Sequence, residues 1–280
     1  MVVVVTDSAA NLPPDVVGEF GIRVVPMYVT IGSETFRDGV DLTPDQLYER
    51  LANDGDVATT STPPPADFVA AFDRAGSPVV CVTVAGSMSG ANQQATRAAR
   101  EFAGDVEVVD SRTASMAEGF VALEAARAAA GGAELAAVAA RARDVAAAAR
   151  LFATVETFDF LRRSGRVTRL QAYAATALDI KPVFAFRDGE PSAVARPRTR
   201  RRALDRVIAE TLDAAGRRPL HLAVVHARAV EDARAVMDAV AGAADVVERY
   251  VVEVTPVVGA HVGPGLVGTA FFTEPDEARP

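Results

Sequence analysis

Tryptophan is absent from this 280-residue chain, and cysteine and lysine occur once each, as Cys81 and Lys181. A lone cysteine excludes an internal disulfide and a thiolate metal cluster. Set within Pro78-Val79-Val80-Cys81-Val82-Thr83-Val84, it reads as a buried thiol in a reducing, cytoplasmic setting. A lone lysine followed by Pro182 excludes a Walker A loop, which needs Lys before Ser or Thr after a glycine-rich turn. The three histidines are too scattered to form a helical metal pair, so no metal or other cofactor is expected. No apolar run long enough to span a bilayer is free of charge. Met1 to Asp7 shows neither a basic leader nor a small-residue cleavage pattern, which leaves at most transient contact with a membrane surface. Clustered positive charge is also missing: the formal charge is -8 and the pI near 5.0, which argues against nucleic acid as a partner.

What is present is a repeated strand-then-turn plan. Val2 to Val5, Val79 to Val84 and Val106 to Val109 are β-branched runs that end in Thr6-Asp7-Ser8, Ala85-Gly86-Ser87 and Asp110-Ser111. Helical stretches separate or follow them at Ala91 to Phe102, Met116 to Ala130 and Ala133 to Arg150, so an α/β unit with a parallel sheet is predicted. Val24 to Val29 and Thr30 to Phe36 suggest an inserted hairpin able to act as a lid. Thr43-Pro44-Asp45-Gln46 opens a helix with a capping threonine, a proline at N1 and a glutamine at N3. From Leu151 the rhythm changes. A basic turn at 162–166, a helix at 170–177, a run from Ile180 to Phe186 and the Asp188-Gly189 turn lead into helices at 200–215 and 229–241. Strands at 220–226, 246–254 and 266–272 complete this part. The fold class is therefore α/β with two domains: residues 1–150 as an N-terminal parallel-sheet domain and 151–280 as a C-terminal α+β domain.

Ligands of such sheets sit at the carboxyl ends of strands, and there this chain places small hydroxyl-bearing turns. The Asp-Ser turns and Ser87-Met88-Ser89-Gly90 are such ends, and Thr60-Ser61-Thr62-Pro63 is a further small, hydroxyl-rich turn. A third element, Gly259-Ala260-His261-Val262-Gly263-Pro264-Gly265, presents an imidazole among small residues. Hydroxyls with one imidazole suit a small anionic head group. Ser8 and Ser111 fit helix N-caps better than ligand contacts, with Asp7 and Asp110 orienting the same turns through Asx hydrogen bonds. His221 reads as structural, whereas for His226 structure and function are equally matched. Gly263 to Gly268 matches G-x-G-x-x-G literally but lacks the following helix and acid of a dinucleotide site. An acyl hydrolase or esterase using Ser89 and His261, with Asp110 as third member, has the residue types but not the G-x-S-x-G elbow. The arginines from 196 to 202 crowd a helix start and either face solvent or meet an acidic partner.

Taken together, the turns resemble the DegV family, the bacterial fatty acid-binding proteins of the FakB type. The resemblance runs through Val5-Thr6-Asp7-Ser8, Arg37-Asp38-Gly39, Thr60-Ser61-Thr62-Pro63, Ser89-Gly90 and Val109-Asp110-Ser111. It continues through Ser115 to Gly119, Leu161 to Val167, Leu178 to Pro182 and Gly259-Ala260-His261 with Gly263-Pro264-Gly265. It implies two α/β domains with a fatty acid tunnel between them, and a carboxylate held by Thr60, Ser61, Ser89, Gly90 and His261. Asp7, Ser8, Ser111, Arg166 and Gly263 would border that head group. It implies a non-enzymatic carrier that presents a long-chain fatty acid to a separate ATP-dependent fatty acid kinase. The carrier would keep the acyl-phosphate for a downstream acyltransferase in phospholipid synthesis, with Arg198, Arg200 and Arg202 as kinase-docking candidates. Phe68, Phe72, Phe120, Phe158, Phe160, Ile180 and Val183 are candidate tunnel walls. The chain departs from the family at Thr62, where Gln is usual, at Ala91, where Thr is usual, and at Ala117, often Gly. The change at Ala91 removes a side-chain donor, for which Asn92 is the candidate replacement.

Overall fold

The computed structural model describes residues 1–53, 58–165, 180–187 and 189–274. The basic turn beyond Gly165 with Arg166, the helix expected at 170–177, Asp188 and residues 275–280 lie outside the described residues.

The N-terminal strands are β1 (Val3–Asp7), β2 (Arg23–Val25), β3 (Tyr28–Ile31), β4 (Glu34–Arg37), β5 (Ala58–Ser61), β6 (Val79–Thr83) and β7 (Val106–Asp110). Their helices are α1 (Pro14–Glu19), α2 (Pro44–Asn53), α3 (Pro65–Ala75), α4 (Ala91–Glu101), α5 (Met116–Ala130) and α6 (Leu135–Ala148). Then come β8 (Arg150–Thr154), α7 (Asp159–Ser164), β9 (Val183–Arg187), β10 (Glu190–Ala195), α8 (Arg200–Ala215) and β11 (Leu220–His226). They are followed by α9 (Val230–Ala241), β12 (Val246–Glu253), α10 (Pro256–Val262) and β13 (Val267–Thr273).

The β-branched runs form a four-stranded parallel sheet of order β2-β1-β6-β7. All five residues of β6 are buried, as continuous apolar runs flanked by helices on both faces require. The second half forms a six-stranded sheet of order β10-β9-β8-β13-β11-β12, antiparallel except for the β11–β12 pair. Layers alternate: α3 and α4, the parallel sheet, α5 and α6, the mixed sheet, then α8 and α9. Helix α5 packs on both sheets and is buried nearly throughout, which explains its run of small and apolar residues without a polar face. Gly119 in α5 permits this, since a Cβ there would stand 2.7 Å from the Ala10 carbonyl oxygen.

The expected continuous strand from Val24 to Val29 is split. Pro26 lacks a donor for a ladder, so β2 stays with β1 while β3 turns into a separate antiparallel sheet of order β4-β3-β5. The expected hairpin is β3–β4, joined through Gly32 at a φ of +59°. Its use differs from a lid: β3 also pairs with β5, setting Val29 against Thr60, so the hairpin braces a strand that sequence periodicity does not reveal. The capping box of α2 forms as read, with Gln46 N–H donating to Thr43 Oγ1 (3.3 Å) and Thr43 N–H to Gln46 Oε1 (2.9 Å). Cys81 is fully buried, and burial pushes its thiol well above the ordinary range.

Candidate functional site

A cavity of about 1090 Å³ opens between the carboxyl ends of β1 and β6 and one face of the mixed sheet. These ends meet where the strand order reverses direction around β1, the position at which α/β sheets bind ligands. The cavity wall has two chemistries. Thr60, Ser61, Ser89, Gly90 and His261 line its polar end. Leu151, Ala153, Phe184, Phe186 and Val225 line it from the mixed sheet and Leu266 from the residue before β13, with Met27 and Val84 opposite.

At the polar end, Thr60 at the end of β5 and His261 on α10 are joined by a 2.8 Å contact between Oγ1 and Nε2 across 201 residues of sequence. Ser89 sits in the turn that starts α4. Its Oγ accepts the Ala91 N–H at 3.2 Å, and Gly90 is the helix N-cap. The positive end of the α4 dipole therefore faces the same space as the hydroxyls. Asn92 also lines the cavity, but its amide is engaged, donating to Thr83 Oγ1 at 3.0 Å. The turn is tied to the β9–β10 hairpin, where Ser87 Oγ donates to the Gly189 carbonyl.

His261 is not displayed on a glycine loop. The segment folds as the short helix α10, with Pro256 at N1 and His261 in the last turn. The glycines serve packing and helix termination. A Cβ on Gly259 would stand 2.5 Å from Tyr48 Oη, and Gly263, at a φ of +69°, ends the helix against the Phe160 ring. Gly263 is buried there rather than at the cavity surface.

The other head-group candidates stand behind the wall. Asp7 is fully buried: its Oδ1 accepts the Ala9 N–H at 3.0 Å and its Oδ2 the Val84 N–H at 2.9 Å, both from cavity-lining residues. Burial raises its pKa to about 6, and Glu118 beside it is pushed well above the carboxylate range by burial and by the Asp7 charge. Ser8 and Ser111 do not cap helices as expected. Asp7 caps the 3₁₀ turn Ser8–Ala10, whereas Ser8 Oγ accepts the Met27 N–H at 3.0 Å and Ser111 Oγ donates to the Thr113 carbonyl at 3.2 Å. The Asx role of Asp110 is as read, since it accepts the Arg112 N–H at 2.8 Å and the Gly86 N–H at 3.2 Å. Arg166 lies outside the described residues.

Three of the candidate tunnel walls, Phe68, Phe72 and Phe120, belong elsewhere. Phe68 and Phe72 pack together beneath α3, Phe72 against Phe102, and Phe120 against Phe272 and Tyr250. The cavity's aromatic rings are Phe184 and Phe186, on alternate residues of β9 facing the same side. Their period-2 spacing within Val183-Phe184-Ala185-Phe186 is the signal that would have singled them out. Arg200 is also committed internally, bonding Asp232 on α9 (2.8 Å) and the Gly265 carbonyl (2.7 Å), while Arg198 and Arg202 are exposed. His221 is structural, stacked on Phe272 with ring centroids 4.3 Å apart and bonded to Glu248 at 2.7 Å. Glu124, His221 and Glu248 converge as metal ligands would, yet Arg127 and Arg141 already bond the same carboxylates, making the group an ion-pair network. His226 ends β11 buried, with burial lowering its pKa, and does not line the cavity. Among the described residues, no helix is long and apolar enough to cross a membrane.

Comparison with known proteins places this architecture. Residues 1–274 match the family model described as "Uncharacterised protein, DegV family". A DegV domain-containing protein of Mycobacterium tuberculosis is 38% identical over 276 residues, covering 95% of each chain. A DegV family protein from Thermus thermophilus, described for its fatty acid binding, superposes with a TM-score of 0.92 at 31% identity, covering 98% of this chain and 99% of its own. DegV of Bacillus subtilis, described as a fatty acid binding protein, gives 0.88 at 26% identity with coverage of 98% and 99%. With the match running from the first strand to the last and the architecture reproduced, the chain belongs to the DegV family.

Proposed function

We propose that this protein binds a long-chain fatty acid with its carboxylate among Thr60, Ser61, Ser89, Gly90 and His261 and its acyl chain along the apolar cavity wall. The observation that carries this reading is a continuous cavity with the Thr60–His261 pair and the Ser89 turn at one end and aliphatic and aromatic side chains beyond them. Its volume of about 1090 Å³ is just above the roughly 300–1,000 Å³ usual for ligand pockets, suited to a long flexible ligand. Each methylene withdrawn from water contributes about 0.8 kcal/mol, so the acyl chain supplies most of the affinity and the polar end supplies orientation. Neutral hydroxyl donors and a helix N-terminus hold a carboxylate without a tight ion pair that would quench its nucleophilicity. That chemistry suits a carrier that hands its ligand on. In this reading a separate ATP-dependent fatty acid kinase phosphorylates the presented carboxylate, and the bound acyl-phosphate goes to an acyltransferase of phospholipid synthesis. The fatty acid binding described for the Thermus and Bacillus relatives supports the ligand class. Arg198 and Arg202 are the docking candidates that remain exposed.

The hydrolase alternative draws less support. Asp110, its third member, gives both carboxylate oxygens to backbone N–H groups of Gly86 and Arg112, and His261 Nε2 meets Thr60. The deciding experiment is mass spectrometry of the organic extract from purified, denatured protein. A stoichiometric fatty acid is expected. An empty extract, from protein that also fails to bind added fatty acid, would overturn the carrier and turn attention to ester substrates and a serine-reactive probe.

A further inference from the structure

We infer that Asp38 is a positioning residue for the carboxylate site: its buried side chain holds the N-terminus of α10 at the height that sets His261 against Thr60. The inference deepens the carboxylate reading above and rests on it. Helix α10 has seven residues, and so short a helix has little stability of its own and depends on its end contacts and packing. Its own N-cap residue, Thr255, makes no side-chain cap; the Thr255 hydroxyl instead donates to the Ser8 carbonyl at 3.3 Å. The acceptor comes from 219 residues away, where Asp38 Oδ1 takes the Val257 N–H at 2.8 Å.

Asp38 is itself fixed. It is 2% exposed, follows β4, and its N–H donates to the Met27 carbonyl at 2.8 Å. The same residue therefore ties Met27 and Val257, two cavity-lining positions, to one point. Val257 and His261 are four residues apart and share a helix face, so the register of the first sets the height of the second. On the flank of α10, Gly259 lies so close to α2 that a Cβ would meet Tyr48 Oη at 2.5 Å and Leu47 Cδ2 at 3.1 Å. The helix is thus clamped at its start by Asp38 and along its side by α2. Asp7 and Glu118, the other buried acids near the wall, hold β1, β6 and α5 instead.

The test compares binding of palmitic and oleic acid with binding of their methyl esters, in the wild-type protein, Asp38→Asn and Asp38→Ala. The esters fill the same apolar wall but carry no carboxylate for His261 and Thr60 to hold. Asp38→Ala is expected to lower affinity for the acids about tenfold, as one lost helix cap implies, with the esters unchanged. Asp38→Asn, an equally good cap acceptor, is expected to keep the wild-type preference. An unchanged acid-over-ester ratio in Asp38→Ala, or an equal loss of both ligands, overturns the positioning role. A wild-type protein without any preference for acid over ester overturns the carboxylate reading and this inference together. A second readout needs no ligand. The imidazole Nε2 nitrogen resonance of His261, assigned with His261→Gln, is expected to shift in Asp38→Ala and not in Asp38→Asn; no shift counts against the role. If Asp38→Ala does not fold, Asp38→Leu keeps the branched shape while removing the acceptor.

Discussion

Single side chains at this site divide into those that face the ligand space and those that hold the wall. Thr60→Val keeps shape and removes the hydroxyl. Losing one hydrogen bond to a charged group is expected to weaken fatty acid binding by about 1.5–3 kcal/mol, measured by calorimetry. The buried acids leave their mark on stability. Burial raises Asp7 and Asp38 to about 6, and Glu118 well above its usual value, so in mildly acidic solution the folded chain binds more protons than the unfolded one. The unfolding free energy should then fall as pH rises from about 4 to about 6, because the stability of a raised acid is lost through its folded pKa. Glu248 and Glu274 act in the opposite sense. Against a burial that would raise it, Glu248 is held low by His221, Arg127 and Tyr250, and Glu274 is held low by Arg141; their stabilisation is lost as pH falls below the ordinary glutamate range. Urea unfolding across pH should therefore show maximal stability on the acidic side of neutrality, and a maximum above pH 7, roughly, would contradict this balance. Tyr48 tells a smaller story: among the described residues its buried hydroxyl has no hydrogen-bond partner, so Tyr48→Phe should be neutral or stabilising in the same assay.

Short elements set the site, and each has an identifiable stop, cap or close contact. Thr43→Ala removes half of the capping box on α2 and should cost about 1 kcal/mol in urea unfolding. Because α2 is the surface on which α10 rests, the more telling substitution is Gly259→Ala. Its new methyl group collides with Tyr48 Oη, and overpacking of this kind costs about 1–3 kcal/mol. Removing that oxygen should restore part of the loss, so the Tyr48→Phe, Gly259→Ala pair is expected to be more stable than Gly259→Ala alone. Additivity would show that the collision is relieved some other way. At this scale much was legible. The spans of α8 and β11 and the capping box follow from apolar periodicity and end signals, and that of α5 from an unbroken run of mostly small, helix-favouring residues ending at Gly131. The split at Pro26 and the pairing of β5 with β3 were not legible, since a short polar edge strand carries no apolar period; the run Ala58-Thr59-Thr60-Ser61 looks like a loop until β3 is beside it.

Across the whole molecule, the two sheets share α5 and α6, and one apolar cluster reaches from Val5 in β1 to Phe272 in β13. We propose that the division near residue 150 separates two folding units that nevertheless unfold together, as a common core requires; coincident circular-dichroism and near-ultraviolet transitions would be the sign. The shared surface is also pinned by charge. Glu124 on α5, 7% exposed, receives Arg127 and Arg141, which reach Glu248 and Glu274 beside the mixed sheet. Glu124→Ala should cost about 1–3 kcal/mol, below the 3–5 typical of fully buried pairs because both guanidinium groups keep partial access to water. On the proposed function, added fatty acid should raise the unfolding free energy by mass action, about 2.7 kcal/mol at a hundredfold excess over Kd.

Sequence by itself determined the longer elements and the chemistry on offer: which β-branched runs become strands, where the long helices start, and that hydroxyl-rich turns accompany one histidine set among small residues. These are local properties, encoded in periods of two or 3.6 residues and in end signals. Only the tertiary structure decided which of those groups meet. Thr60 and His261 stand 201 residues apart and become partners through β3 and α10, while Asp7, Ser8 and Ser111, equally well placed in sequence, turn behind the wall to bind backbone N–H or carbonyl groups. The phenylalanines were divided the same way: Phe184 and Phe186 face the cavity because β9 lies between β8 and β10, and Phe68, Phe72 and Phe120 fill the core because their helices pack there. Burial is a property of the assembled layers, and no spacing along the chain records which face another layer will cover.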